Sequence, residues 1–243
     1  MSSHKNDGAA PSLSRRQLLV GLSLGATALA AGCSSVGPRA RVVLQPGAGD
    51  PYAGYDGSPS RYAAAYGPIE DGGFRIPGID LRRVDKRYLR QEVADPTGEA
   101  PGTIVIDTPS RYAYLVMPGG RAMRYGVGIG RQGFSWGGRA KIQMKRKWPT
   151  WTPPSEMIAR QPELTKYADG MDPGLTNPLG ARALYLFQNG RDTLYRLHGT
   201  PEYWTIGKAV SSGCVRFMNH DIIDLYDRVP VGTDVVVRQG GVA

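Results

Sequence analysis

The stretch SSGCVRFMNHD holds Cys214, one of only two cysteines in the chain, between a glycine and an arginine. One of the three histidines, His198, ends the strand-like run DTLYRLH upstream of it. A cysteine in contact with a histidine forms a nucleophile. Either the base takes the thiol proton, or the pair rests as thiolate and imidazolium. These two residues therefore indicate nucleophilic chemistry, and the segments that position them decide whether it occurs.

The residues around the thiol suit the same chemistry. Ser211, Ser212 and Gly213 are small, and their backbone N–H groups could face a developing oxyanion. Arg216 could hold a substrate carboxylate. The alternatives are a small buried cysteine and a structural histidine.

Two further histidine-based hypotheses are weaker. His220 could also act as the base, although it lies at a predicted helix start, where a solvated side chain is expected. Together, His198, His220 and Cys214 have no standard ligand spacing, so no metal site is predicted.

Residues 1–32 have the pattern of an export signal. The pair Arg15 and Arg16 precedes an apolar run, Leu18–Ala31, that is too short and too weakly apolar for a comfortable membrane span. The twin arginine suggests the export route for folded proteins. The run ends at Cys33 in a lipobox-like segment, which predicts lipidation of that cysteine. Plain cleavage after a small residue is the alternative.

Export bears on Cys214. If Cys33 is lipidated, Cys214 is the only thiol left, and no intramolecular disulfide can form. Structural cysteines in an oxidising compartment are normally paired, so a lone thiol there is a liability unless it is buried or used. We therefore expect a periplasmic protein, lipid-anchored to a membrane, that uses Cys214.

The rest of the chain divides into three parts. Residues 33–72 are rich in Gly, Pro, Ser, Ala and Tyr, which predicts a flexible tether. Residues 73–100 predict an N-terminal arm, and residues 101–240 predict one mainly β domain. Its predicted elements are strands at 103–107, 112–117, 121–130 and 233–238, a hairpin of 182–187 and 192–198 around Asn189-Gly190, and a helix at 220–229 capped by Asn219.

Composition narrows the class of partner. The formal charge is +9, and the 33 glycines and 19 prolines favour short strands and many turns. A basic protein can bind nucleic acid, an anionic surface or an acidic substrate. No nucleic-acid-binding motif is present, so no nucleic-acid partner is expected.

Several motifs occur together and in order. They are HGT at 198–200, Gly207, SSGCVR at 211–216, DLYDRV at 224–229 and GTDVVV at 232–237, preceded by GTIVID, RYGVGIG, WPTWTPP and NPLGARALYL. Over roughly residues 101–239 this set resembles the YkuD-type L,D-transpeptidase catalytic domain.

That resemblance implies a β-sandwich-like fold and a cofactor-free Cys/His site. It implies that Cys214 attacks the peptidoglycan stem peptide before its terminal D-alanine and forms a thioester. An amine of a neighbouring stem then resolves the thioester as a 3→3 cross-link. His198 matches the base, the Gly199 carbonyl orients its other nitrogen, and Arg216 matches the basic position after the nucleophile.

The resemblance leaves some questions open. Many members have histidine where this chain has Ser212, which leaves the base function to His198. The implied partners are stem peptides as donor and acceptor, or a wall-attached outer-membrane protein as acceptor. A hydrolase or L,D-carboxypeptidase that uses water, and a non-catalytic wall-binding lipoprotein, are the alternative functions. The segment Lys141–Gln161 is a substrate-covering flap, a stem-binding wall or a solvated surface loop.

Overall fold

A computed structural model describes residues 59–130, 136–211 and 213–239. The predicted export segment, Cys33, the tether up to residue 58 and Ser212 lie outside these residues.

Three α-helices and thirteen strands make up the described chain, with short 3₁₀ turns between them. The helices are α1 (Pro59–Ala65), α2 (Ser155–Arg160) and α3 (Asn219–Arg228). The strands are β1 (Ile69–Asp71), β2 (Phe74–Ile76), β3 (Gln91–Ala94), β4 (Ile104–Asp107), β5 (Tyr112–Met117), β6 (Arg121–Gly126), β7 (Ile129–Gly130), β8 (Gly138–Lys147), β9 (Arg182–Gln188), β10 (Arg191–Thr200), β11 (Ala209–Ser211), β12 (Val215–Met218) and β13 (Asp234–Arg238).

Nine strands form one mixed sheet in the order β12-β10-β9-β8-β13-β4-β5-β6-β3. The predicted hairpin is present as β9 and β10, and its turn residues Asn189 and Gly190 have φ of 52° and 75°. Such positive values suit a tight hairpin turn. The pairs β10–β12 and β13–β4 are parallel, and the other pairs in this sheet are antiparallel.

The sheet curls so that its β12 edge contacts the residues that follow β6. Gly128, just after β6, exchanges two backbone hydrogen bonds with Arg216 on β12, with N···O distances of 2.9 and 2.8 Å. Behind this contact, Tyr125 and Phe217 pack edge to face with ring centroids 6.1 Å apart. The main core therefore lies between two halves of one sheet. The predicted mainly β, β-sandwich-like fold is confirmed.

Helix α3 closes one side of this core. Ile222 and Leu225 are fully buried, and each such side chain contributes about 1.5–3 kcal/mol. The helix was predicted, but its predicted cap is wrong: Met218 is the N-cap residue. Asn219 instead accepts a hydrogen bond at 2.9 Å on Oδ1 from the backbone N–H of Ala181. Asn219 thus ties α3 to the start of β9.

Residues 59–72 differ from the prediction. They were expected to belong to the flexible tether, yet they form α1 and the first strand of the β1–β2 hairpin. Asp71 holds this hairpin to the domain, because its carboxylate accepts two hydrogen bonds of 2.7 Å from Arg182 and one of 2.7 Å from Trp148 Nε1. Phe74 packs on Trp148 with ring centroids 4.2 Å apart. These contacts are distant in sequence, so local composition does not reveal them.

A buried polar cluster fastens the same N-terminal residues to α3. Tyr66 donates its hydroxyl to Asp221 Oδ1 at 3.0 Å and accepts the backbone N–H of Arg90 at 2.6 Å. The Arg90 guanidinium lies 3.0 Å from Asp224 and 3.8 Å from Asp221. Burial raises the pKa of Asp221 from 3.8 to about 7, although the nearby Arg90 charge opposes the rise. Asp221 therefore binds its proton more tightly in the folded chain than in the unfolded one.

This linkage predicts how stability depends on pH. The contribution of Asp221 to the free energy of unfolding is complete below pH 3.8 and is lost as the pH rises through about 7. Asp221→Asn keeps the acceptor for Tyr66 and removes the titration. As the pH rises from about 5 to about 8, the free energy of unfolding of this variant should increase relative to that of wild type by on the order of 1–3 kcal/mol. Urea unfolding of both proteins at the two pH values measures this change. A difference in free energy of unfolding that is the same at both pH values would contradict the prediction.

Candidate functional site

The parallel pairing of β10 with β12 builds the site. His198 on β10 lies directly opposite Arg216 on β12, and Leu197 lies opposite Val215. Cys214 immediately precedes β12, so the pairing brings the thiol to the strand that carries the imidazole. The charges of Arg196 and Arg216 affect the pKa of both His198 and Cys214, which shows that the two side chains share one environment.

His198 is a buried, neutral imidazole. Its side chain is 5% exposed, and Nδ1 lies 2.6 Å from the Gly199 carbonyl oxygen, the contact that the family resemblance implied. Burial lowers the pKa of His198 to about 4, and the positive charges of Arg216 and Arg196 act in the same direction. Hydrogen bonds to the carbonyls of Gly199 and Pro178 oppose this shift because they favour the imidazolium. At pH 7 the ring is neutral and able to accept a proton.

The Cys214 thiol is partly exposed, with its sulfur 3.9 Å from the Leu194 carbonyl oxygen. Loss of water around it raises the pKa of Cys214 above its ordinary value. The Arg196 backbone N–H and the two guanidinium groups oppose that rise. Burial thus raises the pKa of the thiol and lowers the pKa of His198, and both shifts favour a neutral thiol with a neutral imidazole. The thiolate–imidazolium alternative that the residues left open is not favoured.

Only part of the expected oxyanion segment is described. Gly213 has φ of 133°, which favours glycine, and a Cβ placed there would lie 3.7 Å from the Tyr195 ring. Ser211 is the last residue of β11, and Ser212 lies outside the described residues.

Arg216 already has a carboxylate partner. Its guanidinium Nη1 lies 3.0 Å from Glu202 Oε2, and its side chain is 18% exposed whereas that of Glu202 is 50% exposed. A substrate carboxylate at Arg216 would therefore compete with the half-exposed Glu202 carboxylate. Glu202 was not singled out in the sequence.

His220 lies away from solvent, which corrects the expectation of an exposed helix start. It is 2% exposed, and its Nε2 lies 2.7 Å from the Gly67 carbonyl oxygen. Burial lowers its pKa. His220 thus belongs to the contact between α3 and the N-terminal residues.

The first seven residues of the segment Lys141–Gln161 lie in β8, so they form neither the expected flap nor the expected surface loop. Lys145 donates from Nζ to the carbonyls of Tyr226 and Val229 at 2.7 and 2.6 Å. It therefore satisfies carbonyls at the end of α3, a position that favours positive charge. Trp148 is buried.

The connection from β10 to β12 is braced by the N-terminal residues. The Tyr88 ring occupies the space that a side chain on Gly207 would need. A side chain on Gly126 would likewise overlap atoms of Tyr88. The Arg83 guanidinium stacks on Trp204, 4.5 Å from the ring centroid. Gly207 was noted in the sequence only as a motif position, and its packing explains why it is glycine.

A groove of about 520 Å³ lies at the turn between β9 and β10, and neither Cys214 nor His198 lines it. Its lining residues are Trp136, Gln188, Asn189, Arg191, Asp192 and Thr193. Trp136 stacks on Tyr195 with ring centroids 5.7 Å apart. The groove thus combines one aromatic ring with polar and charged side chains.

Arg196 and Asp192 also surround the site and were missed in the sequence. Arg196 could have been found from the sequence, because a residue two positions before His198 on a strand lies on the same face of the sheet. Asp192 offered no such signal, since an irregularity in β10 separates it from Arg196.

Metal-binding clusters and membrane-spanning helices are both absent from the described residues. Among residues 59–130, 136–211 and 213–239, no group of three or more His, Cys, Asp or Glu could hold a metal ion. No helix in these ranges is both long and apolar enough to cross a membrane.

Comparison with known proteins agrees with this geometry. The probable L,D-transpeptidase YbiS of Escherichia coli is 35% identical over 152 residues, covering 60% of this chain and 47% of its own length. Probable L,D-transpeptidase ErfK/SrfK of Escherichia coli is 34% identical over 172 residues, covering 66% and 52%. The chain thus spans about half the length of the curated relatives it matches.

Two solved structures are also similar to this chain. One from Brucella melitensis, described as a probable carnitine operon oxidoreductase, is 49% identical and covers 65% of this chain and 99% of its own, with a TM-score of 0.45. An L,D-transpeptidase from Mycobacterium smegmatis is 20% identical, covers 56% and 58%, and has a TM-score of 0.41.

The family model named YkuD, described as the L,D-transpeptidase catalytic domain, matches residues 101–237, which is more than half of the chain. This range contains β4 to β12 and all but the last residue of β13, together with Cys214, His198 and the arginines beside them. The chain belongs to the YkuD family of L,D-transpeptidase catalytic domains.

Proposed function

We propose that this chain is a peptidoglycan L,D-transpeptidase in which Cys214 is the nucleophile and His198 is the base. The observation that carries the proposal is the buried His198 imidazole. It is neutral, held by the Gly199 carbonyl at 2.6 Å, and shares its surroundings with the partly exposed thiol.

In the first half-reaction, His198 takes the thiol proton and Cys214 sulfur attacks the carbonyl carbon of the third stem residue. The bond to the terminal D-alanine breaks, the imidazolium returns the proton to the leaving amine, and a thioester remains. The carbonyls of Gly199 and Pro178 stabilise the transient imidazolium.

In the second half-reaction, an amine of a neighbouring stem attacks the thioester carbonyl. His198 accepts the proton of the amine and returns it to the departing thiolate, which restores the resting pair. The product is a 3→3 cross-link, or an attachment to a wall-linked protein if the amine belongs to one.

The acceptor is tested by mass analysis of purified wall fragments after incubation with the enzyme. Cross-linked fragments support the transpeptidase. Shortened stems without cross-links would instead indicate a carboxypeptidase that uses water, and unchanged fragments would contradict both.

The nucleophile is tested with a carbapenem, a strained acyl donor. We expect wild-type protein to gain one drug mass by intact mass spectrometry, because the activated thiol opens the ring. Cys214→Ala should gain none. An adduct of equal yield in Cys214→Ala would show that another residue is acylated.

The base is tested by comparing two histidines. His198→Ala should slow acylation of Cys214 by at least about 100-fold at pH 7, since a positioned base typically contributes about 10²–10⁴-fold. Part of the loss should return as the pH rises toward the thiol pKa, because hydroxide then ionises the sulfur. In wild type, the acid limb of the rate profile should follow the lowered His198 pKa of about 4.

His220→Ala is the matched control. It should acylate within about threefold of wild type and should instead lower the free energy of unfolding by roughly 1–3 kcal/mol, because it removes a buried contact. Stopped-flow acylation and urea unfolding measure the two effects. The assignment is wrong if the folded His198→Ala protein acylates near the wild-type rate, or if His220→Ala loses more.

We also propose that Cys33 is the lipidated mature N-terminus and that the protein is held at a membrane in the periplasm. The support is the Arg15-Arg16 pair and the lipobox-like ending of the apolar run. Several acyl chains hold a protein firmly, whereas one binds only marginally. Detergent partitioning should place wild type in the detergent phase and Cys33→Ser in the aqueous phase. Wild-type protein wholly in the aqueous phase, with a different N-terminus, would refute the anchor.

A further inference from the structure

Strand β10 has an irregularity next to the thiol. Its register against β9 shifts between Asp192 and Arg196. At the centre, Leu194 has φ of 63°, an unusual value for a leucine, and its side chain is 75% exposed. Strained backbone of this kind is retained where the surrounding contacts enforce it, and bulges often lie beside active sites.

Side chains of the bulge itself enforce this shape. Asp192 Oδ1 accepts the Leu194 N–H at 2.8 Å, and the two Asp192 oxygens accept two hydrogen bonds of 2.7 Å from the Arg196 guanidinium. Thr193 Oγ1 accepts the Tyr195 N–H at 3.2 Å. The Asp192–Arg196 ion pair therefore spans the bulge from one end to the other.

The bulge presents two backbone groups to the sulfur of Cys214. The Leu194 carbonyl oxygen lies 3.9 Å from Sγ, where it can accept the thiol proton. The Arg196 N–H hydrogen-bonds the sulfur and favours its charged form. One short stretch of backbone thus contacts the sulfur both as thiol and as thiolate.

Charged and titratable side chains approach the sulfur from both neighbouring strands. Asp192, Arg196 and His198 belong to β10, and Arg216, paired with Glu202, belongs to β12. The two arginines favour the thiolate, whereas Asp192 disfavours it. The Arg196 side chain is 15% exposed, so its charge is only partly screened by water.

We propose that Asp192 and Arg196 are positioning residues for Cys214: their ion pair locks the bulge that holds the sulfur and sets the charge beside it. This inference rests on the proposed role of Cys214 as nucleophile. Neither residue contacts the substrate carbonyl in this role. Both act through the sulfur, by fixing the backbone groups that it contacts and by opposing each other's effect on its ionisation.

The test is the pH dependence of Cys214 alkylation by iodoacetamide, an uncharged probe, in full-length protein. Arg196→Met should raise the thiol pKa by about 0.5 or more, because a nearby positive charge is lost. Asp192→Asn should lower it, because the negative charge is lost while an oxygen remains to accept the Leu194 N–H. Near pH 7 the alkylation rate should accordingly fall about threefold or more in the first variant and rise in the second.

Arg191→Met is the matched control, since it removes the same charge from an exposed position on the same strand. Its thiol pKa should equal that of wild type. Circular dichroism checks folding, and Arg196→Gln replaces Arg196→Met with the same expectation if the methionine variant does not fold.

Opposite shifts of the thiol pKa in the two variants support the proposal, because general loosening of the hairpin would move the thiol pKa of both variants in one direction. A thiol pKa that is unchanged in Arg196→Met, or shifts of the same sign in both variants, would overturn it. The carbapenem adduct is a separate readout: wild type that alkylates normally but forms no adduct refutes the proposed function, not the role of this ion pair.

Discussion

The parallel pairing of β10 with β12 is the constraint on which the site depends. Parallel strands cannot be joined by a tight turn, so a crossover connection must leave the end of β10 and return to the start of β12. That connection carries Glu202, Gly207 and Gly213, and it delivers Cys214 at the point where pairing begins. The long loop before the cysteine is therefore a requirement of the sheet topology, and the reactive group lies where the loop ends.

Within this frame, the balance between burial and charge determines the state of the reacting pair. Two backbone carbonyls favour a charged His198, but burial outweighs them. Two arginines favour a charged Cys214, and burial again outweighs them. The carbonyls and arginines that oppose the effect of burial on these pKa values are also the groups that stabilise charge once it forms. The site is thus neutral at rest and already contains the dipoles and cations that the charged intermediate needs.

Local signals in the sequence predicted local features. The Asn189-Gly190 turn specified a hairpin, strand-like runs bounded by turn residues predicted several strands, and the rarity of cysteine singled out Cys214. The misassignments share a physical cause, which is contact between residues distant in sequence. Asn219 looked like a helix cap because its partner, the Ala181 N–H, lies on another element. His220 looked solvated because its partner, Gly67, lies far upstream in the chain.

The N-terminal residues show that the recognisable catalytic segment and the folding unit differ in length. Strand β3 covers the edge of β6, and one buried cluster joins Tyr66, Val84, Tyr88 and Leu89 to Ile206 and Met218. A gene fragment encoding only the matched range would leave these last two side chains and the β6 edge bare to solvent, where an uncovered edge promotes aggregation. Recombination between genes would therefore have to move residues 62–94 together with the catalytic motifs. The segment that must be inherited as one unit therefore begins well upstream of the catalytic motifs.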